Sequence, residues 1–181
     1  MLLVDDQILF VQSLRMVLEK MTNDLKVVGV AQNGLEAIEL TASLLPDVVL
    51  MDVRMPEMNG VESARIIIER FSRIRVLMLT TFDDDEYIIE ALKYGAAGYL
   101  LKNVPPKDLI AAIRVVSEGN VLIAPKVASK LVQKLVNTPE EKPNVDIVLN
   151  SPDWLDQLGN REKEILSLIE KKVEVNLVVL K

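Results

Sequence analysis

Five polar residues of this 181-residue sequence directly follow or end short apolar runs: Asp5, Asp6, Asp52, Thr80 and Lys102. Short apolar runs rich in Val and Leu are typical of strands in a parallel sheet that is covered on both faces. The carboxyl ends of such strands meet at one edge of the sheet, where open α/β sheets place their functional groups. We therefore expect these five side chains to lie close together.

The residue types indicate phosphoryl chemistry assisted by a metal ion. Three neighbouring carboxylates repel one another, so a hard cation is needed to keep all of them ionised, and Mg²⁺ prefers oxygen ligands of this kind. Lys102 can pair with one phosphoryl oxygen, and the Thr80 hydroxyl can hydrogen-bond another. This pattern predicts a site that accepts a phosphoryl group with Asp52 as the nucleophile. Taken singly, each residue is more often a cap, a strand end or a solvated side chain, but their joint placement favours function.

Composition excludes several other kinds of site. The sequence has no histidine and no cysteine, which excludes histidine-based catalysis, histidine metal ligands, disulfides and thiolate metal sites. We expect a cytoplasmic protein, since the lack of cysteine fits a reducing compartment. The net charge of -6 provides no global basic field for nucleic acid. We expect no membrane association, because no apolar stretch is long enough to span a bilayer.

Strand and helix patterns alternate through residues 1–119. Strands are predicted at 1–4, 25–31, 48–51, 75–80 and 98–101. Helices are predicted at 7–21, from Asn33 to Pro46, and at 61–71, 84–94 and 106–118. The inward faces of the first two helices are predicted to consist of Phe10, Leu14, Val17, Leu18 and Met21, and of Ile38, Ala42 and Leu45. Asn33 with Glu36, and Asp83 with Glu86, have capping-box spacing. The fold class is therefore α/β, a (βα)₅ doubly wound parallel sheet.

The motifs LLVDD, LMDVRMPEMNG, LTTF and GAAGYLLK resemble those of the receiver domain of bacterial two-component response regulators. The resemblance covers residues 1–119 and implies a flavodoxin-like receiver domain. It implies that Asp52 is the phosphoacceptor, that Asp6 binds Mg²⁺ directly and that Asp5 helps through water. It also implies that the Arg54 backbone carbonyl is a metal ligand and that Lys102 pairs with the phosphoryl group.

The same resemblance implies partners and a switch. The phosphoryl donor would be a sensor histidine kinase, and a homodimer is expected on phosphorylation. Thr80 and Tyr99 would be the switch pair: the hydroxyl moves to the phosphate and the aromatic ring turns inward. Strand position alone makes Tyr99 only a half-buried aromatic residue.

Residues 120–157 are predicted to form a linker helix, at 125–136, followed by a proline-containing linker. LGNREKEILSLI, within residues 158–181, resembles the first helix of the LuxR-type helix-turn-helix domain, so the nearest class is the NarL/FixJ regulators. No counterpart of the recognition helix follows it. We therefore expect a partial all-α DNA-binding segment, and no specific binding of promoter DNA by this chain, although full-length members of the family bind DNA. The alternative for 158–171 is a plain amphipathic surface helix.

Two other classes of function stay open. One is a stand-alone receiver that signals only through protein–protein contacts. The other is an enzyme with the same topology, either an aspartyl-phosphate phosphohydrolase or a flavin protein. The phosphohydrolases of the haloacid-dehalogenase type need a second acid where this sequence has Arg54, and no Gly/Ser/Thr-rich phosphate loop follows the first strand. We therefore expect a phosphorylation-controlled regulator of transcription and not an enzyme.

Overall fold

The computed structural model describes residues 1–81 and 85–123. The chain divides into two compact units, Met1–Asn120 and Val121–Lys181, and almost all described residues belong to the first. The predictions for the linker helix, the linker, the helix-turn-helix segment and the cap at Asp83 lie outside the described residues. No helix among the described residues is long and apolar enough to cross a membrane.

Strands and helices alternate along the described chain as the sequence predicts. The strands are β1 (Leu2–Val4), β2 (Gly29–Ala31), β3 (Val48–Met51), β4 (Arg75–Thr80), β5 (Gly98–Leu101) and β6 (Leu122–Ile123). The helices are α1 (Ile8–Met21), α2 (Gly34–Leu44), α3 (Gly60–Arg70), α4 (Asp85–Lys93) and α5 (Pro106–Ser117). The (βα)₅ prediction is confirmed, whereas the two-residue strand β6 was not predicted.

Within the first unit the strand order is β2-β1-β3-β4-β5, and these pairs are parallel. β1 lies between β2 and β3, with Val4 opposite both Ala31 and Met51. The chain therefore changes direction across the sheet at β1 and β3, and such a switch point is where open α/β sheets bind ligands. Asp5 and Asp52 follow these two strands directly, so the topology itself brings the two carboxylates together.

Helices cover the sheet in two groups: α1 contacts α5, and α3 contacts both α2 and α4. All four residues of β3 are buried, and so are all residues of β4 after Arg75. The largest fully buried side chains include Leu3, Met51, Ile67, Leu77, Met78, Ile88, Tyr99 and Ile113. Strands that are apolar on both faces need cover on both faces, which fixes the layered α/β architecture.

The predicted inward face of α2 was wrong. Its buried residues are Gly34, Ala37 and Thr41, whereas Leu45 is 65% exposed. Small residues face inward because the neighbouring backbone comes very close: the Gly34 N–H donates to the Met58 carbonyl at 3.1 Å, and a Cβ at Gly34 would meet the Met58 side chain at 2.7 Å. Hydrophobicity alone does not reveal such close packing.

Candidate functional site

The carboxylates of Asp5, Asp6 and Asp52 converge at the carboxyl edge of the sheet. One oxygen of each lies within 4.8 Å of the others. The side chains of Asp5 and Asp52 are only 6% and 4% exposed, whereas Asp6 is exposed. The cluster thus has two buried ligand atoms and one that faces solvent. Carboxylate oxygens at this spacing fit a hard divalent cation such as Mg²⁺, and the open side leaves room for water ligands.

Lys102 bridges the two buried carboxylates. Its Nζ lies 2.6 Å from Asp5 Oδ2 and 2.9 Å from Asp52 Oδ2, and its side chain is 5% exposed. The Lys102 N–H donates to the Thr80 carbonyl at 2.7 Å, which fixes the backbone of Lys102 just beyond β5. The ammonium is therefore held at the end of a short, anchored segment and not on a free loop.

Burial and pairing act differently on the two ends of this ion pair. Burial pulls the pKa of Lys102 down, but its hydrogen bonds to Asp5 and Asp52 outweigh that effect and leave the pKa raised. Burial raises the pKa of Asp5 by more than Lys102 and the Gln7 N–H lower it. Both pKa values are therefore raised, but for different reasons. Two carboxylates stabilise the charged form of Lys102, whereas burial and the negative charge of Asp52 disfavour the charged form of Asp5. Lys102 is thus firmly charged, and the raised pKa of Asp5 makes its carboxyl harder to ionise than a carboxyl in water.

The Asp52 carboxylate is oriented from both sides. Its Oδ1 accepts a hydrogen bond from the Val53 N–H at 2.7 Å, while Oδ2 faces Lys102. The residue's own N–H donates to the Val4 carbonyl at 2.8 Å. Gly60, the first residue of α3, packs directly against the backbone of Asp52. A Cβ at position 60 would overlap the Asp52 carbonyl oxygen. A glycine is required at this position for the helix to start so close to the end of β3.

Thr80 is the last residue of β4, at the edge of the sheet where the carboxylates lie, and Tyr99 is the second residue of β5. Thr80 is fully buried and stands opposite Leu101, and Tyr99 stands opposite Met78. Tyr99 is 0% exposed, so the half-buried position predicted from the strand pattern was wrong. A central parallel strand is covered on both faces, which buries the whole ring.

The Arg54 side chain contacts helix α4. It is exposed, and its guanidinium carbon lies 5.8 Å from the centre of the Tyr87 ring on α4. That distance is within the range of a cation–π contact. The Arg54 side chain thus connects the loop after Asp52 with α4, while the metal-binding role of its backbone carbonyl stays a prediction.

Sequence reasoning missed two groups at the site. The ring centre of Phe10 lies 4.7 Å from Lys102 Nζ, and the Gln7 N–H donates to Asp5 Oδ1 at 3.0 Å. Phe10 was predicted only as part of the inward face of α1. Its position about one helical turn after Asp6 is the signal that could have placed it at the carboxyl edge of the sheet.

Known proteins resemble this chain along most of its length. The family described as response regulator receiver domain matches residues 1–114. The transcriptional regulatory protein DegU of Brevibacillus brevis is 38% identical over 173 residues, covering 92% of this chain and 72% of DegU. The oxygen regulatory protein NreC of Staphylococcus carnosus is 39% identical over 150 residues, covering 82% of this chain and 67% of NreC. The crystal structure of a LuxR-family DNA-binding response regulator from Staphylococcus aureus has a TM-score of 0.60 at 29% identity and covers 64% of this chain and 97% of its own.

Proposed function

Because this chain belongs to the response regulator receiver family, we propose that Asp52 accepts a phosphoryl group from the phosphohistidine of a sensor histidine kinase. The observation that supports this most is the surroundings of Asp52: a buried carboxylate at the switch point of the sheet, with the Lys102 ammonium 2.9 Å away. The sequence contains no histidine, so the phosphohistidine belongs to another molecule.

In the transfer, a carboxylate oxygen of Asp52 attacks the phosphorus atom. The bond between phosphorus and the imidazole nitrogen breaks, its electron pair stays on the imidazole, and an aspartyl phosphate forms. Negative charge spreads over the three equatorial oxygens of a loose transition state. Lys102 neutralises part of this charge and the Thr80 hydroxyl donates to another oxygen. Because the Val53 N–H already orients the Asp52 carboxylate at 2.7 Å, little reorganisation is needed.

A divalent cation completes the charge balance of the site. Three carboxylates and one ammonium leave two negative charges uncompensated, which would repel an incoming phosphoryl group. Asp5, Asp6, Asp52 and the backbone carbonyl of Arg54 would hold Mg²⁺. When bound, Mg²⁺ supplies positive charge for the phosphoryl oxygens.

Regulation of transcription is the output that we propose for the phosphorylated chain. Thr80 and Tyr99 would pass the change to α4, β5 and α5, and the altered surface would promote a homodimer. The name of DegU, a transcriptional regulatory protein, supports this output, and the DegU match extends over 92% of this chain, beyond the residues matched by the receiver family. A receiver that signals through protein contacts alone would not explain why the similarity to DegU continues beyond the receiver domain.

The test is phosphoryl uptake from acetyl phosphate, followed by intact-mass spectrometry. The chain and an Asp47→Asn control should each gain one phosphoryl group in the presence of Mg²⁺ and none in chelator, whereas Asp52→Asn should gain none. Asp47 suits the control because it is exposed and precedes β3, at the end of the strand opposite to Asp52. Equal labelling of Asp52→Asn would refute the proposal.

A further inference from the structure

The Lys102 ammonium has an aromatic neighbour besides its two carboxylates. Nζ lies 2.6 Å from Asp5 Oδ2, 2.9 Å from Asp52 Oδ2 and 4.7 Å from the centre of the Phe10 ring. The lysine side chain is 5% exposed, so little water screens these contacts. A desolvated ammonium over an aromatic face experiences the stronger kind of cation–π attraction.

The aromatic contact differs from the two carboxylate contacts because the Phe10 ring cannot serve as a ligand for a hard metal ion. Asp5 and Asp52 both contribute to the group of oxygens that could hold a metal ion. A divalent cation and the ammonium therefore compete for the same two carboxylates. The Phe10 ring attracts the ammonium through its quadrupole and offers no carboxylate oxygen to a hard metal ion. Its attraction for Lys102 does not depend on how the carboxylates are occupied.

We propose that Phe10 is a positioning residue for phosphoryl transfer, and that its ring keeps the Lys102 ammonium beside Asp52 while the carboxylates bind a metal ion. This inference rests on the proposed function. Phe10 also lines an apolar wall of the site together with Leu14 and Val11. An aliphatic side chain could fill that space but lacks the negative face of the ring.

The test replaces Phe10 with phenylalanines that carry an increasing number of ring fluorines. Fluorination changes the ring's shape little but progressively weakens its attraction for a cation. We expect the initial rate of phosphoryl uptake from acetyl phosphate at saturating Mg²⁺ to fall progressively along the series. Phe10→Leu should be slower on the order of tenfold, and Phe10→Trp should largely retain the rate.

Val17→Ala is the matched control. Val17 is a half-buried residue of α1, about two helical turns beyond Phe10. Its truncation should lower stability and leave the uptake rate close to that of the unaltered chain. A rate that is constant along the fluorine series, or an equal loss of rate in Val17→Ala and Phe10→Leu, would overturn the proposal.

A measurement without metal or phosphoryl donor separates this inference from the proposed function. In the metal-free chain, the protons beside Lys102 Nζ should show a ring-current shift in their NMR signals that disappears in Phe10→Leu. If the unaltered chain takes up no phosphoryl group, the proposed function fails, and the positioning role fails with it even where the ring-current shift is present. If uptake is normal but the shift is absent, only the role of Phe10 fails.

Discussion

Replacing Lys102 with methionine should destabilise the metal-free chain substantially. The substitution keeps most of the side-chain volume but removes the ammonium that bridges Asp5 and Asp52 at 2.6 Å and 2.9 Å. All three side chains are at most 6% exposed, so water cannot replace the lost charge. Breaking a buried ion pair from one side typically costs about 3–5 kcal/mol.

Protonation of Asp5 sets an upper limit to the stability that Lys102→Met can lose. Asp5, whose pKa is already raised by burial, can take up a proton instead of staying buried and charged. From its ordinary pKa of 3.8, protonation costs about 4.4 kcal/mol at pH 7 but only about 1.6 kcal/mol at pH 5. A carboxyl with a folded-state pKa above its unfolded value favours folding at low pH and loses that advantage as the pH rises. The stability deficit of Lys102→Met should therefore shrink between pH 7 and pH 5.

Urea unfolding in chelator provides the assay. A loss of about 3 kcal/mol at pH 7 corresponds to a midpoint lower by about 1.5 M, for an m-value of about 2 kcal/mol/M. Mg²⁺ should stabilise Lys102→Met more than the unaltered chain, because no ammonium competes for the carboxylates. Lys107→Met, at an exposed position of α5, is the control and should unfold like the unaltered chain. Equal midpoints for Lys102→Met and the unaltered chain at pH 7, or a deficit that grows at pH 5, would refute this reasoning.

Three further outcomes follow from the described contacts. Gly60→Ala should lower the free energy of unfolding by about 1–3 kcal/mol, because its Cβ overlaps the Asp52 carbonyl oxygen; an unchanged urea midpoint would contradict that packing. Asn33→Ala should cost about 1 kcal/mol, because the Asn33 side chain accepts the Glu36 N–H at 2.8 Å at the start of α2; thermal unfolding checks this, and no loss of stability would count against the cap. Acetyl phosphate with Mg²⁺ should alter hydrogen exchange of α4 (Asp85–Lys93) in the unaltered chain but not in Asp52→Asn, and identical exchange in both would exclude this route of signal transmission.

The bounds of the central strands were predicted correctly because they depend on the residues of the strands themselves and of the turns that follow them. β3, β4 and β5 are apolar on both faces and end at turn residues, and the structure gives them the predicted bounds. β2 is shorter than predicted, since only Gly29–Ala31 pair with the three residues of β1. A strand at the edge of the sheet extends only as far as its neighbour offers partners, which its own sequence does not reveal.

The positions of polar residues at the strand ends predicted that these side chains would lie close together. They did not predict which of the side chains contact one another. Lys102 was expected to serve the phosphoryl group near Asp52, yet in the structure it also pairs with Asp5. Phe10 reaches the same ammonium from α1. These contacts depend on how α1 and β5 sit relative to each other, and that arrangement arises from long-range packing.

Chemical trapping tests the phosphoacceptor assignment most directly. Borohydride reduces an aspartyl phosphate to homoserine, so peptide sequencing by mass spectrometry can locate the modified residue. After incubation with acetyl phosphate and Mg²⁺, we predict homoserine at position 52 alone. Homoserine at position 5 or 6, or an unmodified Asp52 in a chain that has gained a phosphoryl group, would contradict the assignment of Asp52 as the phosphoacceptor.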